Sequence, residues 1–428
     1  MPQLPLEGVR IIEACEVWAG PYAGTLLGDL GAEVIKIEPI QRATHNRGPV
    51  RPSPASPWGT GYPDAEPGQH PWNRAADFNR LNRNKMSFTL DLSRPRGVEI
   101  YKQLVAITEV VIENYASETM RKLGVDYPVL KEVNSNLIMV SMPGFGVEGP
   151  YKGYVGLGYV FDSVAGHAGL RGYPDDEIKG STGILHADGV AALNCVLAVL
   201  MALRYKRRTG RGQFIDIAQT EAFMPHLGWA VMDYTMNKRV QSSIGNRDTS
   251  MAPHGVYRCK GDDSWVALAI GSDDEWKRFC QAIGNPSWTQ DEKFKTALSR
   301  WKHQDELDKL IELWTIEHDH YEVMQRLQNA GVAAGALLDD TEVYSDPHIF
   351  QSGFFEVAPH SEAGIHPYPA ISYKLTKTPL SVRRPPALLG EDNEFVLRGL
   401  LGLSEQEIIR LGQERIIGTV PIEALEEG

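Results

Sequence analysis

The sequence has few cysteines, no excess of positive charge and no apolar run as long as a typical membrane span. Its four cysteines stand far apart, without the CxxC or Cys/His spacing of metal sites, so neither a disulfide framework nor a structural zinc is expected. The net charge of −12 argues against a general nucleic-acid or membrane-surface binder, although a local basic pocket stays compatible with it. The first residues lack the basic and apolar regions of a signal peptide. These features predict a globular, cytoplasmic protein.

An alternation of strand and helix patterns is present over the first half of the chain. The segments VRIIEA and AEVIKIE predict strands, and PYAGTLLGDLG between them predicts a helix that ends at Gly31. The strand pattern returns in SFTLDL, EVVIENY, NLIMVSM and QFIDIA, with helical segments between. Because βαβ units place their strands in parallel, we expect an α/β fold with an open, doubly wound, Rossmann-like parallel sheet.

The pattern of predicted secondary structure changes after about residue 225. A hairpin pattern and several amphipathic helices follow, which predict a smaller α+β domain. We therefore expect a large domain over 1–225, a small domain over 226–345, and a return segment over 346–428 that completes the large domain. A stretch rich in Pro, Gly and Arg from about 39 to 80 is too long for an ordinary loop, which is typical of a functional segment.

Asp188 stands directly before the longest apolar run, which extends from Val190 to Leu203. That run is shorter than the roughly 18 residues of a membrane span, so it predicts a buried core helix. The position favours an N-cap role for Asp188. A helix N-terminus also favours the ionised carboxylate, and Gly189 beside it would leave the carboxylate open to attack an electrophile. His186 is either a base or a structural residue.

Two further motifs have a structural and a functional interpretation. Arg80, Arg83 and Lys85 cluster just before a strand, as a solvated loop or as a clamp for phosphates. The segment GFGVEG (144–149) has the spacing of a dinucleotide fingerprint, but Pro150 and a loop-like segment follow it where a helix is required. A nicotinamide site is therefore not expected, and the glycines are expected to let the backbone approach a ligand.

Several blocks, in order, resemble the class III coenzyme A transferases, a family that includes formyl-, carnitine- and bile-acid-CoA transferases and is related to 2-methylacyl-CoA racemases. The resemblance covers nearly the whole chain, in blocks such as WAGPYAGTLLGDLGAEVIKIE, NRNKMSFTLDL, NLIMVSMPGFGVEGPY and ADGVAALNCVLAVLMALRYKRRTGRGQFIDIAQTEA. It implies CoA transfer from an acyl-CoA donor to a carboxylic acid through aspartyl anhydride and aspartyl-CoA thioester intermediates on Asp188. It also implies coenzyme A as the carrier, no metal, and an interlocked homodimer or a heteromer with a paralogous subunit.

The resemblance also implies contact residues for the substrates. Formyl-CoA transferases and the racemases have an arginine where this chain has Pro39, so a nearby cation is the expected substitute. The contacts implied for CoA are Lys85, Arg83, Asn114, Arg121 and the substitute Arg42. Glycine-rich loops are expected to stabilise the oxyanions, through Gly144, Gly146 and, in the GNRD segment, Gly245.

Two positions bear on the choice of reaction. The racemases pair their aspartate with a histidine in a GHD segment, where this chain has Leu157, and His167 is not expected to replace it. This favours the transferase over the racemase. Trp18 stands where formyl-CoA transferases have glutamine, which argues against oxalate or formate. With the tryptophans of the 39–80 stretch as pocket walls, or else as packing residues, we expect a bulky or aromatic (di)carboxylate acceptor such as a substituted succinate, and succinyl-CoA as donor.

Overall fold

A computed structural model of the chain describes residues 3–53, 61–176 and 184–426. The chain divides into two compact units. The large unit comprises Met1–His167, Ser181–Met232 and Gln351–Gly428, and the small unit comprises Ala168–Gly180 and Asp233–Phe350.

The large unit is built on a six-stranded, fully parallel sheet in the order β3-β2-β1-β4-β5-β6. The chain runs outward from β1 in one direction and then from β4 in the other, which makes the sheet doubly wound and confirms the predicted α/β fold. The strands are β1 (Arg10–Ala14), β2 (Glu33–Glu38), β3 (Lys85–Thr89), β4 (Val110–Glu113), β5 (Ile138–Ser141) and β6 (Phe214–Asp216).

The remaining strands are antiparallel. The small unit has a three-stranded sheet in the order β7-β8-β9, in which the first two strands form the predicted hairpin, and the large unit has a separate two-stranded hairpin. These strands are β7 (His254–Arg258), β8 (Trp265–Ala269), β9 (Ala333–Leu337), β10 (Phe355–His360) and β11 (Gly364–Pro369).

Helices connect the strands and cover the sheets. The α-helices, in chain order, are α1 (Ala19–Asp29), α2 (Pro71–Arg74), α3 (Ala76–Asn79), α4 (Pro95–Ala106), α5 (Thr119–Lys122), α6 (Tyr127–Val133), α7 (Gly158–Val164), α8 (His167–Leu170), α9 (His186–Thr209), α10 (Gln219–Phe223), α11 (Gly228–Asn237), α12 (Asp273–Ala282), α13 (Ala297–Lys302), α14 (Gln304–Thr315), α15 (His320–Asn329), α16 (Asp340–Ser345), α17 (Pro347–Gln351), α18 (Glu405–Gln413) and α19 (Ile422–Leu425). A π-helical segment spans Phe395–Leu400, and short 3₁₀ segments span His45–Arg47, Pro63–Ala65, Met224–Leu227, Ser287–Gln290 and Glu292–Phe294.

The first five strands of the parallel sheet are buried on both faces, which explains why they are mostly apolar, whereas the edge strand β6 is partly exposed. On one face Ile11, Val34 and Ile112 pack against α1 and α9. On the other face the alternate residues Ile12 and Ile35 pack against α4 and the return segment that contains the π-helix. The successive residues of each strand therefore serve two different cores.

Helix α9 is central to the large unit and is only partly buried. It begins after Leu185 and ends at Gly210, which adopts the left-handed conformation of the predicted helix stop. Its inner face is buried, but Leu193, Leu197 and Met201 on the outer face are more than half exposed. By length and composition it is the one helix among the described residues that could cross a bilayer, and half of its apolar window is buried in the protein. The prediction of a buried helix is therefore correct for one face only.

The segment from 39 to 80 is an ordered structure over its described part. Its Trp72 is 4% exposed and packs against Ala43 and Leu389, so this tryptophan is a packing residue. Arg47 is fully buried, and its guanidinium lies 2.6 Å from the Glu38 carboxylate at the end of β2. Trp58, the other tryptophan of the stretch, lies outside the described residues.

Candidate active site

The topology opens a crevice where β1 and β4 lie side by side. The chain leaves these two strands in opposite directions across the sheet, and ligands of such sheets bind outside the carboxyl ends at this point. Two cavities occupy this edge, one of about 100 Å³ and one of about 630 Å³. Val17, Asn114 and Tyr115, which follow the ends of the two strands, line both of them. The cavities are therefore neighbours that share one wall.

The shared wall contains a strained residue. Val17 has a φ of 65°, which is rare for a β-branched side chain because its Cβ crowds the backbone. It directly precedes Trp18, which is the N-cap residue of α1. Such strain persists only where the surrounding structure enforces it and is frequent at functional sites.

Asp188 lies in the wall of the smaller cavity, in the first turn of α9. The expectation that it caps this helix is wrong, because the N-cap residue is Leu185 and the helix already begins at His186. The carboxylate of Asp162, from α7, takes over the capping role. It accepts hydrogen bonds from the backbone N–H groups of Ala187 at 2.8 Å and His186 at 3.3 Å. The Asp188 side chain is thereby released from capping.

The surroundings of Asp188 raise its pKa to about 6. The main cause is burial, since the residue is 3% exposed, and the negative charge of Asp162 adds to it. The backbone N–H groups of Ala19 and of Asp188 itself act in the opposite direction. The sequence analysis expected the helix N-terminus to favour the anion. The pKa of about 6 lies above the ordinary value of an aspartate, but it leaves the carboxyl group largely ionised at pH 7.

One oxygen of Asp188 has no hydrogen-bond partner. Its Oδ2 is buried, and Gly158 at the start of α7 makes room for it, because a Cβ added at that glycine would lie only 1.9 Å from Oδ2. A carboxylate oxygen without donors keeps its full electron density for attack on an electrophile. The space that allows this was expected at Gly189, and the structure places it at Gly158.

We expect Gly158→Ala to lower kcat by about 100-fold, because a displacement of the nucleophile by about 1 Å has an effect of that size. The added methyl group would push the Asp188 carboxylate out of its position and would also crowd the Leu185 side chain, whose Cβ would lie 2.7 Å away. We expect the helix content to change little. Steady-state kinetics and circular dichroism measure the two effects. Gly169→Ala is the matched control, since an added Cβ there meets nothing within 4 Å. Equal activity of the two variants would contradict the placement of Asp188 Oδ2.

Two histidines surround the capping carboxylate. The Nδ1 atoms of His167 and His186 lie 3.4 and 3.5 Å from Asp162 Oδ2. Among the described residues this is the one group of carboxylate and imidazole side chains compact enough for a metal ion, with ligand atoms within 4.8 Å of one another. We assign the histidines as partners of Asp162, and the absence of a metal stays a prediction. His186 is near Asp188 in sequence, but its imidazole pairs with Asp162.

One of the cations expected to contact CoA, Arg42, is accessible in the larger cavity. Arg42 lines it from the segment after β2, half exposed, with a guanidinium nitrogen 2.7 Å from the Glu16 carboxylate. Pro39, the position of the missing arginine, lines the same cavity. Asn114 uses both ends of its amide on the backbone of Glu16, at 2.8 and 2.9 Å, so it shapes the wall between the cavities.

Lys85 and Arg83 are not placed as the resemblance implies. Both are buried and engaged with carboxylates: Lys85 Nζ lies 2.8 Å from Glu13, and Arg83 lies 2.6 Å from Asp29. Lys85 also donates to the carbonyl oxygens of Pro21 and Leu81. Neither cation lines a cavity at the switch point in this structure, and their contact with CoA stays a prediction.

The other expected cations and Trp18 lie near the crevice. Arg121 is mostly exposed on α5 and pairs with Glu118, the residue that precedes this helix; neighbouring residues line the larger cavity, but Arg121 does not. Trp18 is the N-cap residue of α1, and the guanidinium of Arg80 lies 5.5 Å from the centre of its ring. Neither residue lines either switch-point cavity.

The three expected oxyanion glycines are in different places. Gly144 lines the cavity of Asp188 and packs against Phe161, which a Cβ would overlap at 2.0 Å. Gly146 has a positive φ of 80° and turns the loop toward Asp216, whose carboxylate accepts the N–H of Val147 at 3.0 Å. Gly245 belongs to the small unit, where it lines a cavity of about 550 Å³.

The sequence alone did not identify two residues of the site. Gln219 lines the cavity of Asp188, and its Oε1 is buried without a partner while its Nε2 donates to the carbonyl oxygen of Met142 at 2.8 Å. Its position just past the carboxyl end of β6 was the available signal, because that end lies at the same sheet edge. Asp162 had no signal, since its partners are 24 and 25 residues further along the chain.

Comparison with known proteins identifies the family to which the chain is similar. A family model described as CoA-transferase family III matches residues 6–393. The chain is 32% identical over 424 residues to a succinyl-CoA–D-citramalate CoA-transferase of Chloroflexus aurantiacus, with 97% of this chain and 99% of the relative covered. It is also 32% identical to the beta subunit of a succinyl-CoA–L-malate CoA-transferase of that organism, with 97% and 98% covered. A crystal structure of a CAIB/BAIF family protein from Brucella suis matches with a TM-score of 0.82 at 28% identity, covering 94% of this chain and all of that one.

Proposed function

This chain belongs to CoA-transferase family III, and from that premise we propose that it moves CoA from succinyl-CoA to a carboxylic acid with Asp188 as the nucleophile. The observation that carries the proposal is the unpartnered Oδ2 of Asp188, a residue that lines a cavity at the switch point of the sheet. The 630 Å³ cavity that shares its wall has space for much of the CoA moiety.

The proposed reaction begins with attack of the Asp188 carboxylate on the thioester carbonyl of the donor. The new C–O bond gives an aspartyl anhydride and releases CoA as a thiolate. The thiolate then attacks the aspartyl carbonyl, which leaves an aspartyl-CoA thioester and frees the donor acid. The acceptor carboxylate attacks this thioester, forms a second anhydride and releases the thiolate again. Final attack of the thiolate on the acceptor carbonyl gives the new acyl-CoA and restores Asp188. Every nucleophile is already an anion, so no strong general base is required.

The walls of the smaller cavity support this sequence of steps. Each tetrahedral intermediate carries an oxyanion, and backbone N–H groups near Gly144, Gly156 and Gly158 are the candidates that stabilise it. Among the described residues that line this cavity there is no histidine or lysine, and the lining includes Leu157. A second proton-handling group on the opposite face of an α-carbon is what a racemase needs, so the lining favours the transferase.

The substrate identity is supported by the relatives. The names of the two Chloroflexus relatives specify succinyl-CoA as donor and citramalate or malate as acceptor. We propose succinyl-CoA as the donor here too, and a substituted, bulky or aromatic dicarboxylate as the acceptor, since citramalate and malate are both substituted succinates.

We expect the rate of the first half-reaction to follow the ionisation of Asp188. Because burial and Asp162 raise this pKa to about 6, kcat/KM for the acyl-CoA donor should fall about tenfold per pH unit below pH 6 and be constant above about pH 7. Asp162→Asn removes the negative charge, so the acid limb should move to lower pH. A pH–rate profile of both proteins measures this.

The buried Glu113, whose pKa is raised to about 7, is the competing cause of such an acid limb. If Glu113 were responsible, the limb would stay at the same pH in Asp162→Asn.

We further propose that two copies of the chain associate. The exposed face of α9 presents Leu193, Leu197, Leu200, Met201 and Tyr205, an apolar surface of the kind that marks protein–protein interfaces. We expect mass photometry of the purified chain to report twice the chain mass, and Leu197→Glu to shift it to one chain mass. A monomer that is active alone would contradict the proposal. A requirement for a paralogous chain, as in a transferase with alpha and beta subunits, would replace the homodimer by a heteromer.

The proposed function is tested by a matrix of acyl-CoA donors against carboxylic acids, with the CoA products identified by mass spectrometry. We expect succinyl-CoA to be consumed only when an acceptor acid is present, with one acyl-CoA formed for each one lost. Exchange of deuterium from solvent into the α-carbon of a 2-methylacyl-CoA, without any acceptor, would support the racemase instead.

A further inference from the structure

A third cavity lies in the large unit and shares no lining residue with the two cavities at the switch point. Its volume is about 350 Å³, within the range of small-molecule sites. Its walls are Tyr62 and Pro63, the helix α3 with Arg80 directly after it, and the strand β11 of the two-stranded hairpin.

Two residues that line this cavity each have a buried polar side-chain atom without a hydrogen-bond partner. These atoms are the phenol oxygen of Tyr62 and Oδ1 of Asn79, in side chains of residues that are 5% and 6% exposed. An unsatisfied buried polar group costs about 1–3 kcal/mol, and such groups are few in folded proteins. The Tyr62 hydroxyl can donate, and the Asn79 oxygen can accept. A single hydroxyl group of a ligand satisfies both, because it accepts one hydrogen bond and donates another.

The rest of the lining is mostly apolar and flat. Pro63, Pro367 and Pro369 form much of the wall, together with Tyr368 and Ala76. Rigid proline and tyrosine rings keep their shape without a ligand, so the cavity is preformed for a body of similar shape. A planar ring of aromatic size matches the volume and these surfaces.

The two arginines at the rim of this cavity differ in whether they can bind a ligand. Arg74 donates to the backbone carbonyl oxygens of Glu66, Pro63 and Glu362, and so holds the wall together. Arg80 is about half exposed, and its only carboxylate partner among the described residues is Asp77 on α3, at 2.6 Å. Exposed pairs of this kind are weak, so a ligand carboxylate can share this guanidinium.

We propose that this cavity binds a small hydroxylated aromatic acid, with its hydroxyl between Tyr62 and Asn79 and its carboxylate at Arg80. The ring lies against the prolines. This site is separate from that of the CoA transfer proposed above, since it shares no lining residue with the two switch-point cavities.

The test is a calorimetric titration of the whole protein with 4-hydroxybenzoate, compared with benzoate and phenol as probes that lack one group each. We expect saturable binding of 4-hydroxybenzoate, with benzoate and phenol about 10-fold weaker, since each lacks a hydrogen-bonding or charged contact worth about a tenfold change. Tyr62→Phe should weaken 4-hydroxybenzoate about 10-fold and leave benzoate unchanged.

Two control variants show whether the ligand binds in this cavity. Tyr101→Phe removes an equally buried, unpartnered phenol hydroxyl outside the cavity, and it should leave the affinity unchanged. Asp188→Ala should also bind 4-hydroxybenzoate like the unmodified protein, which keeps this result separate from the CoA-transferase activity. No saturable binding at millimolar concentration, or equal affinity for 4-hydroxybenzoate and benzoate, would overturn the proposal even if Tyr62→Phe fails to fold.

Discussion

Asp188→Ala is expected to lower kcat by at least about 10⁴-fold, the largest effect of any single substitution in this chain, because it removes the group that forms the covalent intermediates. Alanine is the better choice than asparagine, since an amide directly before Gly189 would deamidate back to the acid. In the unmodified protein, acyl-CoA without acceptor followed by hydroxylamine should convert Asp188 to a hydroxamate, which peptide mass spectrometry locates.

The loss of activity in Asp188→Ala should not come from unfolding. A carboxyl group whose pKa is raised from 3.8 to about 6 by the folded protein destabilises the native state once it ionises. This penalty is absent below about pH 4, grows as the pH rises to about 6 and is constant above. Removing the acid relieves the penalty at pH 7, so the free energy of unfolding should not fall. Asp340→Ala, at an exposed position of α16, is the control. An active Asp188→Ala protein with no labelled peptide would refute the mechanism.

Lys85→Met is expected to lower the free energy of unfolding by about 3–5 kcal/mol, the range for breaking a buried ion pair. The Glu13 carboxylate is fully buried, with Lys36 and Lys85 each 2.8 Å away, and Gly24 leaves it room where a Cβ would lie 1.9 Å from its oxygen. Burial lowers the pKa of Lys85 to about 8, which leaves it mostly charged at neutral pH. Chemical denaturation monitored by fluorescence measures the loss.

The alternative for Lys85 is the phosphate contact that the resemblance implies. A phosphate-binding lysine would give a higher KM for the acyl-CoA and unchanged stability, and that result would contradict the structural role. Arg42→Gln is the contrasting variant: Arg42 lines the larger cavity and is half exposed, so KM should rise about tenfold with unchanged stability. Lys102→Met, at a partly exposed position of α4, controls for the loss of a lysine as such.

Much of the fold was predictable because its signals are local. The strands β1 to β6 are short apolar runs separated by helical segments, and this alternation specifies a parallel sheet through the handedness of the crossovers. Gly31 and Gly210 end their helices as predicted, since both need a positive φ. Ser404 and Glu407 form a capping box at the start of α18, and this signal is also local, because both partners lie within one helical turn.

The strands that were missed lack such signals. The strand β9 reads AAGAL, whose residues have weak strand preference, and it is held by pairing with β8 more than sixty residues earlier in the chain. The hairpin of β10 and β11 contains three prolines, which usually argue against strands, yet a two-stranded hairpin consists of edges only and tolerates them.

The sequence by itself determined the α/β class, the family resemblance and the choice of Asp188, because these depend on residue types at local spacings. Only the tertiary structure decided what each charged group does. Asp162 caps α9 across 24 residues of sequence, Lys85 neutralises a carboxylate on β1, and Arg42 faces a cavity. The physical reason is that the ionisation and availability of a charged side chain depend on burial and on partners in space, and neither is a property of the local sequence.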